Sequence, residues 1–551
     1  MDEDGQPSGA DGLQRDGPQA ARRVRGTARC AQERDPGQLL DLRGCSSQGR
    51  HAPERNHLDQ VQIAYRPRAR SCGDGWQKGR RPLIATSRRT FLAGGSAAIL
   101  AGAAPALARG KTEADVAVIG AGLAGLHAAR ACEAAGLRVV VIEAERRIGG
   151  RLHTLRDLPG APEAGGIQIG AGYTRLRKTA GELGVGLDSG GGAGAGIADA
   201  PGNLYAVNGA MATPADWPTS DGNRLADSER TVEPAALLRH YARVFPRLAS
   251  PDAWLDAARD TDISVLAALR QAGASEEALR LIAANFNGNS LAGMSQFGLA
   301  RTFASYASQP GPVSTITGGS QRLPEAMAAS LRGDVRTGQT VRALHEEADG
   351  VTLHLGKATL RAAHAICTIP FAALRHVPVE TSLAPAAARM IAELPYTRAS
   401  FAYIAASEPF WEADGLPTTL WSDDPLIGRV FVLGSAPPML KLWTTGAGAD
   451  LLDRLPPEEA KRMIVSRIAA MRPSSQGKLS VLRLYSWQRN PGARGIYHHI
   501  GTGMAADLAA TTRHRGARLH FAGEHLGRAA SGMEAAFESA EAAVDAVLAR
   551  A

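Results

Sequence analysis

Two short apolar runs on either side of an alanine-rich stretch form the clearest pattern along the chain. Residues 116–119 and 139–142 contain only Val, Ala and Ile, which is typical of strands buried on both faces of a parallel sheet. The alanine-rich residues 123–135 lie between them and predict a helix, which Gly136 would end. The pattern therefore predicts a strand, a helix and a second, parallel strand.

Three glycines follow the first strand at G-x-G-x-x-G spacing, and Glu143 directly follows the second strand. In a dinucleotide-binding turn such glycines permit a tight turn, a close approach to a pyrophosphate and close packing of helix on strand. The N–H groups at the helix start would face the phosphates, and Glu143 would accept hydrogen bonds from ribose hydroxyls. The residues expected at the cofactor are Gly120, Gly122, Leu123, Ala124, Gly125 and Glu143.

Strand and helix patterns continue along the rest of the chain. Asp349-Gly350 is a strong turn signal between two β-rich runs, and helical patterns occur at about 234–248 and 276–284. The loop after the second helical pattern either lines a pocket or forms ordinary turns. It contains Asn285, Phe286, Asn287 and Asn289. Strands that alternate with helices predict an α/β fold.

The first 108 residues have a different composition. Residues 2–79 are rich in Arg, Gln, Gly, Pro and Asp and lack apolar periodicity. They predict a disordered leader, or an over-extended gene start, over residues 1–86. Residues 1–108 carry a formal charge of +6, out of +8 for the 551-residue chain. The remainder is close to neutral, so its charge gives no indication of a basic face for nucleic acid in the folded part.

An export-signal pattern occupies residues 87–108. It begins with S-R-R-T-F-L, continues through a weakly apolar stretch and ends with A-L-A, as in a twin-arginine signal. It predicts recognition by the twin-arginine export machinery and a periplasmic location. The apolar stretch is short and rich in glycine, which disfavours a permanent membrane span.

The cysteines add no site chemistry. Three of the five lie in the first 108 residues. The other two, Cys132 and Cys367, are expected to be ordinary buried residues. Their spacing matches neither a metal site nor a disulfide framework.

The residues after the second strand resemble a known family signature. Residues 143–151 read E-A-E-R-R-I-G-G-R, similar to the E-A-x-x-R-x-G-G-R element of the flavin monoamine oxidase family, part of the FAD-dependent amine oxidase superfamily. Residues 318–327, 519–525 and 531–540 resemble further elements of that family. The resemblance extends over residues 114–551 and implies that separated segments meet on one FAD. Its further expected FAD contacts are Ala144, Arg147, Gly150, Arg151, Val341, Gly523, Glu524, Gly532 and Met533.

The resemblance also implies a pair of aromatic rings, the family's aromatic cage, around the amine. The run from Trp487 to Tyr497 resembles a family run that ends in G-x-Y, which places Trp487 against the flavin and Tyr497 beside the amine as the candidate catalytic residues. The second cage position is Gly532 in this chain. The cage is therefore expected to lack one wall and to accept a bulkier amine.

Three departures from the family pattern change the expected chemistry. Ile496 stands where animal monoamine oxidases carry the cysteine that binds FAD, so non-covalent FAD is expected. Gln168, a predicted pocket residue, stands where L-amino acid oxidases carry the arginine that holds the substrate carboxylate, which argues against an α-amino acid. Phe401 stands where a lysine near the flavin is usual, and Arg398 is the nearest cation in sequence. The missing lysine favours an acceptor such as a periplasmic cytochrome or quinone.

These expectations combine into one prediction of fold and function. We expect a two-domain α/β flavoprotein with a discontinuous, Rossmann-like FAD-binding domain and a substrate domain of mixed sheet and helices. The expected reaction is FAD-dependent oxidative deamination of a small primary or secondary amine, with oxygen or a periplasmic carrier as acceptor. The FAD-binding segments are predicted at 109–187, 311–368 and 501–551, and the substrate segments at 188–310 and 369–500.

Three other functions remain open on the sequence. They are an L-amino acid oxidase, a desaturase-like flavin oxidoreductase of the same superfamily, and a non-catalytic FAD-binding module. Gln168 disfavours the first, and the run from Trp487 to Tyr497 fits amine oxidation better than the second. The near-complete flavin site disfavours the third. A homodimer is compatible with the sequence.

Overall fold

The computed structural model describes residues 112–189, 202–256 and 259–550. The predicted leader and export signal, residues 1–108, lie outside these residues. Within the described ranges, no helix combines the length and the apolar composition needed to cross a membrane.

Strands and helices alternate along the described residues. The strands are β1 (Ala114–Ile119), β2 (Val139–Ile142), β3 (Leu187–Ser189), β4 (Asn203–Val207), β5 (Ala210–Ala212), β6 (Ser314–Ile316), β7 (Val335–Arg336), β8 (Ala343–Glu347), β9 (Gly350–Leu355), β10 (Ala358–Cys367), β11 (Val379–Glu380), β12 (Ala399–Ala406), β13 (Thr419–Ser422), β14 (Arg429–Ser435), β15 (Pro438–Thr445), β16 (Leu479–Ser486) and β17 (Leu519–Phe521). The α-helices are α1 (Leu123–Ala134), α2 (Thr174–Glu182), α3 (Leu237–His240), α4 (Val265–Gln271), α5 (Glu276–Ala284), α6 (Gln296–Ala307), α7 (Arg322–Ala329), α8 (Phe371–Leu374), α9 (Pro385–Glu393), α10 (Phe410–Ala413), α11 (Gly446–Arg454), α12 (Pro457–Met471), α13 (Ala505–Arg513) and α14 (Gly532–Leu548).

The first sheet joins strands from three distant parts of the chain. Its order is β11-β8-β9-β10-β1-β2-β7, and β17 pairs with the C-terminal end of β10. Strand β1 runs parallel to both β2 and β10. Val116 and Val118 face one apolar core with α1 and α14, whereas Ala117 and Ile119 face another. Burial on both faces explains the unbroken apolar run of β1.

The predicted strand–helix–strand unit is confirmed. Helix α1 and strand β2 match the prediction closely, and β1 begins earlier than predicted, at Ala114. Gly120 has a φ of +105°, a conformation that favours glycine. A Cβ atom on Gly125 would lie 1.9 Å from the Gly120 carbonyl oxygen. Only glycine therefore allows α1 to lie this close to the end of β1.

The other sequence patterns have mixed outcomes. The turn at Asp349-Gly350 joins β8 to β9, and α5 has the predicted bounds. The single helix predicted at 234–248 is wrong, because the structure has two 3₁₀ turns around the short α3 instead. Phe245 is extended there, since the following Pro246 disfavours a helical backbone at the residue before it.

The second sheet is mixed and carries helices of its own. Its order is β16-β12-β15-β14-β13-β4-β5, and β13 runs parallel to β4 while the other pairs are antiparallel. Helices α11 and α12 pack against it. This architecture confirms the predicted fold class, while the domain boundaries stay a prediction from the sequence.

Candidate active site

A cavity of about 650 Å³ lies where the ends of β1 and β2 meet the starts of α1 and α14. Most of the residues predicted to contact FAD or substrate line it. They are Gly120, Gly122, Leu123, Ala124, Glu143, Ala144, Gly150, Arg151, Gln168, Val341, Trp487, Tyr497, Gly523, Glu524, Gly532 and Met533. The N-terminal and C-terminal motifs therefore face one space, which we call the FAD cavity.

Two predicted cofactor residues lie outside the lining of this cavity. Gly125 lies in the contact between α1 and β1 described above. Arg147 was expected near the diphosphate, but its guanidinium donates to the carbonyl oxygens of Gly150 at 2.6 Å and Leu152 at 3.1 Å. It also pairs with Glu145 at 3.0 Å. The geometry makes Arg147 a support for the loop that carries Gly150.

The α1 end of the cavity fits a pyrophosphate. Helix α1 starts there with no side-chain cap and no acidic residue in its first turn. Its N–H groups and the positive end of its dipole are therefore available to an anion. Gly122 and Gly150 face each other so closely that a Cβ on Gly150 would lie 3.4 Å from the Gly122 Cα. Without side chains at these positions, the backbone stays open to phosphate oxygens.

Glu143 is fixed by the turn beside it. Its Oε2 accepts a hydrogen bond from the Ala121 N–H at 2.7 Å, and its Oε1 accepts one from the Glu145 N–H at 2.8 Å. Burial raises the pKa of Glu143, and the two N–H donors offset part of that effect. Each carboxylate oxygen keeps a second lone pair. Glu143 is therefore placed to accept a ribose hydroxyl, as the sequence predicts.

A buried ionic network ties the N-terminal motif to the C-terminal one. Glu524 accepts hydrogen bonds from Arg151 Nη1 at 2.9 Å and pairs with His498 Nδ1 at 2.7 Å. Burial alone would raise the pKa of Glu524, but the charges and hydrogen bonds of His498 and Arg151 outweigh it and hold that pKa low. Arg151 also donates to the Ile496 carbonyl oxygen at 3.1 Å. The network thus positions the chain on both sides of the cavity.

Three aromatic side chains line part of the FAD cavity. They are Trp487, Phe401 and Trp443. Trp487 Nε1 donates to the Ala164 carbonyl oxygen at 2.6 Å, and a Cβ on Gly165 would lie 2.0 Å from the Arg151 carbonyl oxygen. Such close backbone packing beside flat rings fits the planar ring system of a flavin.

A second cavity of about 680 Å³ adjoins the first. Both cavities are lined by Tyr497, Glu524 and Gly532. Much of the remaining wall is aromatic, and three residues of the asparagine-rich loop contribute. These are Asn285, Phe286 and Asn287. Asn289 instead bonds the backbone of Tyr396 and Arg398. The second cavity is the candidate substrate cavity.

The sequence predicted that the cage lacks one wall at Gly532, but the structure places Tyr173 in that space. The Tyr173 hydroxyl lies 2.9 Å from the position that a Cβ on Gly532 would take. Burial raises the pKa of Tyr173 to about 12, and this residue lines the substrate cavity. A tyrosine from the start of α2 therefore occupies the space left by the missing side chain. No pattern in the sequence pointed to this contact, since the two residues are far apart in the chain.

Two cations near the cavities were not predicted from the sequence. Arg429, the first residue of β14, lines the substrate cavity. Lys441 on β15 is buried behind Phe401, with its Nζ 4.3 Å from the centre of that ring. Arg398, the cation nearest in sequence, instead pairs with Asp450 at 2.8 Å. A single charged residue within each apolar strand is the signal that could have found Arg429 and Lys441.

Lys441 is held on the cavity's outer side. Its Nζ donates to the Glu163 carbonyl oxygen at 2.8 Å, and Tyr403 donates to the same oxygen. Burial lowers the pKa of Lys441 to about 7, although the Glu163 charge opposes this. Phe401, and not the lysine, lines the FAD cavity.

The comparisons with known proteins agree with this geometry. A family model for flavin containing amine oxidoreductases matches residues 123–548. The flavin-dependent L-tryptophan oxidase RebO of Lentzea aerocolonigenes is 28% identical over 495 residues, which cover 78% of this chain and 97% of the relative. The L-amino-acid oxidase of Siganus canaliculatus is 25% identical over 452 residues, covering 78% of this chain and 84% of the relative.

Solved structures show the same fold. Cyclohexylamine oxidase from Brevibacterium oxydans IH-35A matches with a TM-score of 0.66 at 22% identity, over 79% of this chain and 98% of that chain. The residues described above fit FAD, and the family model covers most of the chain. The protein is therefore an FAD-dependent oxidoreductase that belongs to the flavin-containing amine oxidoreductase family.

Proposed function

We propose that the protein oxidises a primary or secondary amine to an imine, which water then hydrolyses. The observation that supports this proposal is the meeting of the FAD cavity and the substrate cavity at Tyr497 and Gly532. One cavity has the residues for a flavin dinucleotide, and the other has room for an organic substrate between largely apolar walls that also carry charged and amide side chains. A substrate bound in the second cavity would reach the first beside the Tyr497 ring.

The oxidation step needs only the amine and FAD. The carbon next to nitrogen loses a hydride and the nitrogen loses a proton, which leaves a C=N bond. FAD supplies the two-electron acceptor. Water then adds to the imine and releases a carbonyl compound with ammonia or a smaller amine. The apolar walls around Tyr497 favour the neutral amine, whose lone pair assists the loss of hydride.

Oxidation of an amino acid is the second candidate function. The tryptophan and amino-acid oxidases among the relatives support it. Gln168 opposes it, because a neutral amide forms no charged pair with a carboxylate. Arg429 in the substrate cavity supplies a cation that Gln168 does not. A desaturase-like reaction has less support, since Trp487 and Tyr497 line the cavities as amine oxidation requires.

The acceptor and the location are part of the proposal. We place the enzyme in the periplasm as a folded holoprotein exported by the twin-arginine signal at 87–108. Its electrons pass to oxygen or to a periplasmic cytochrome or quinone. Phe401 supports a carrier, because the ring separates Lys441 from the FAD cavity.

A flavin-bleaching screen tests the proposed function. The holoprotein is mixed anaerobically with a panel of amines and amino acids, and the flavin absorbance is followed before and after oxygen or a quinone is added. At least one amine should bleach the flavin. Tyr497→Ala should slow the bleaching and leave the FAD content per protein unchanged, because the ring borders the substrate cavity. A panel without any bleaching would oppose the proposal.

A further inference from the structure

One row of side chains crosses the second sheet and reaches both cavities. The strand register pairs Phe401 with Trp443, Trp443 with Arg429, and Arg429 with Trp421. Paired residues on neighbouring strands point to the same face of a sheet. Phe401 and Trp443 line the FAD cavity, whereas Arg429 and Trp421 line the substrate cavity. Arg429 is therefore the cation in an otherwise aromatic row that leads from cofactor to substrate.

Arg429 has no counter-ion among the described residues. Its Nη2 donates to Asn287 Oδ1 at 2.6 Å, and its buried Nε lacks a hydrogen-bond partner. The Phe431 ring lies 5.8 Å from the guanidinium carbon and offsets part of the cost of burial. Arg301, which also lines the cavity, differs because its Nη2 donates to two backbone carbonyl oxygens. Free donors on a half-buried cation without a counter-ion favour an anionic ligand.

Asn287 links Arg429 to Tyr497. The Asn287 side chain accepts the hydrogen bond from Arg429, and its backbone carbonyl accepts one from the Tyr497 hydroxyl at 3.4 Å. Burial raises the pKa of Tyr497, and the nearby Arg429 offsets part of the effect. The guanidinium and the phenol therefore lie on two sides of one residue, next to the junction of the cavities.

We propose that Arg429 binds the carboxylate of an amino acid substrate whose amine-bearing carbon lies beside Tyr497. This inference rests on the proposed oxidation of an amine by FAD, and it selects the second candidate, an amino acid, as the substrate class. Guanidinium and carboxylate form two parallel N–H···O bonds through adjacent nitrogens such as Nη1 and Nη2. Nη1 of Arg429 has no partner among the described residues, and Nη2 donates one of its two protons to Asn287. The aromatic walls and the cavity volume of about 680 Å³ select a bulky apolar side chain.

This assignment removes the argument that Gln168 excludes amino acids. Gln168 lines the FAD cavity, whereas Arg429 approaches the substrate from the other cavity. In this proposal the carboxylate-binding cation is on strand β14 and not in the loop that carries Gln168. A plain amine would leave the free donors of Arg429 without an anion.

Matched pairs of substrates test the inference. Anaerobic flavin bleaching is measured with phenylalanine against phenethylamine, and with leucine against 3-methylbutylamine. In the wild type the amino acid should saturate at the lower concentration. Arg429→Met should raise the half-saturating concentration of the amino acids on the order of 100-fold, while the paired amines stay within a few-fold. Arg429→Lys should restore part of the amino acid affinity.

A binding probe separates this inference from the proposed function. Benzoate, a carboxylate without an amine, should perturb the flavin spectrum of the wild type and not that of Arg429→Met. Arg398→Met removes a cation that is paired with Asp450, and it should leave both the substrate ratio and benzoate binding unchanged. FAD content and melting temperature check that each variant folds, and Arg429→Gln replaces the Met variant if that one loses FAD.

The outcomes are distinct. Unchanged amino acid preference and benzoate binding in a folded Arg429 variant would overturn the inference and leave amine oxidation standing. Arg429-dependent benzoate binding without bleaching by any amine or amino acid would support the carboxylate site and sink the proposed reaction. Faster saturation by plain amines in the wild type would also overturn the inference.

Discussion

Lys441 is an amine that the fold holds away from water. Its Nζ lies within 4.3 Å, 5.2 Å and 5.5 Å of the ring centres of Phe401, Trp443 and Tyr403. Burial lowers its pKa from the ordinary 10.5 to about 7, against the opposing charge of Glu163. Between these two pH values the unfolded chain binds a proton at Lys441 that the folded chain does not. Stability linked to Lys441 therefore rises with pH across this window and is lost as pH falls towards 7.

Replacing Lys441 by methionine should remove this dependence. We expect the melting temperature of Lys441→Met to exceed that of the wild type most at pH 7, with the gap closing as pH rises towards 10. The other ionisable groups near Lys441 are present in both proteins, so their contributions cancel in the difference. Melting curves of the two holoproteins from pH 6.5 to 9.5 measure it. A gap that stays constant would show that Lys441 keeps an ordinary pKa.

Ile496 sets a second expectation at the level of one residue. It lines the FAD cavity and has no sulfur with which to bind the flavin. Acid precipitation should therefore release all the yellow colour into the supernatant. Ile496→Cys provides the matched comparison, because it places a thiol at the same position. Colour retained in the wild-type pellet would mean that another residue holds FAD covalently.

The sequence predicted the residues whose role depends on the local backbone. Gly120, Gly122 and Glu143 could be placed because a turn, a helix start and a strand end are close together in the chain. Arg429 and Tyr173 could not, because strand register and helix packing bring them to the cavities from distant segments. Gln168 shows the consequence, because matching this one loop position to a family pattern could not reveal the cation on strand β14.

At the level of elements, the contact between α1 and β1 depends on Gly125. An added methyl group would overlap the Gly120 carbonyl oxygen and push the helix away from the strand. We expect Gly125→Ala to lower the free energy of unfolding by about 1–3 kcal/mol and to weaken FAD binding, because α1 carries the phosphate-binding N–H groups.

Gly181 in α2 is the matched control. Nothing lies within 4 Å of a Cβ at this position, and alanine favours helix over glycine by up to about 1 kcal/mol. Gly181→Ala should therefore leave stability unchanged or raise it slightly. Denaturation curves and FAD content of the two variants measure the difference. Equal effects would mean that the helix-to-strand distance is not the constraint.

The ends of helices were predicted correctly where one local sequence pattern determines them. Helix α5 begins after Ser275, whose Oγ accepts a hydrogen bond from the Ala278 N–H, and its bounds were predicted. The 3₁₀ turns around α3 were not predicted, because the apolar periodicity of 234–248 continues up to Pro246. The restriction that this proline places on the residue before it ends the helix earlier. A local breaker thus overrode the longer pattern.

At the scale of the whole molecule, the proposed export depends on residues that precede the FAD-binding fold. The twin-arginine pathway carries folded proteins, so we expect FAD to bind in the cytoplasm before export. Arg88→Lys together with Arg89→Lys should therefore leave the holoprotein in the cytoplasm, with its FAD content unchanged. Fractionation of cells expressing the two proteins measures this. Undiminished periplasmic protein from the double variant would reject the twin-arginine assignment.

FAD also joins parts of the fold that are far apart in sequence. The FAD cavity is lined by residues from the first βαβ unit, by Val341 and by the start of α14. Within the protein, the bond between Arg151 and Glu524 spans 373 residues. A ligand that contacts all these segments binds the folded chain and not the unfolded one, so it stabilises the fold by mass action, by about 4 kcal/mol at a thousandfold excess over Kd.

Removal of FAD should therefore destabilise the whole chain and not one domain. We expect the apoprotein to melt several degrees below the holoprotein in a single transition, and added FAD to restore the higher melting temperature. FMN and AMP, which each match only one half of the cavity, should restore little of it, because neither reaches both Glu143 and Trp487. Calorimetry of the apoprotein with each ligand measures these shifts. If FMN alone restored the full melting temperature, the adenine end would contribute nothing to the stability that links the three segments.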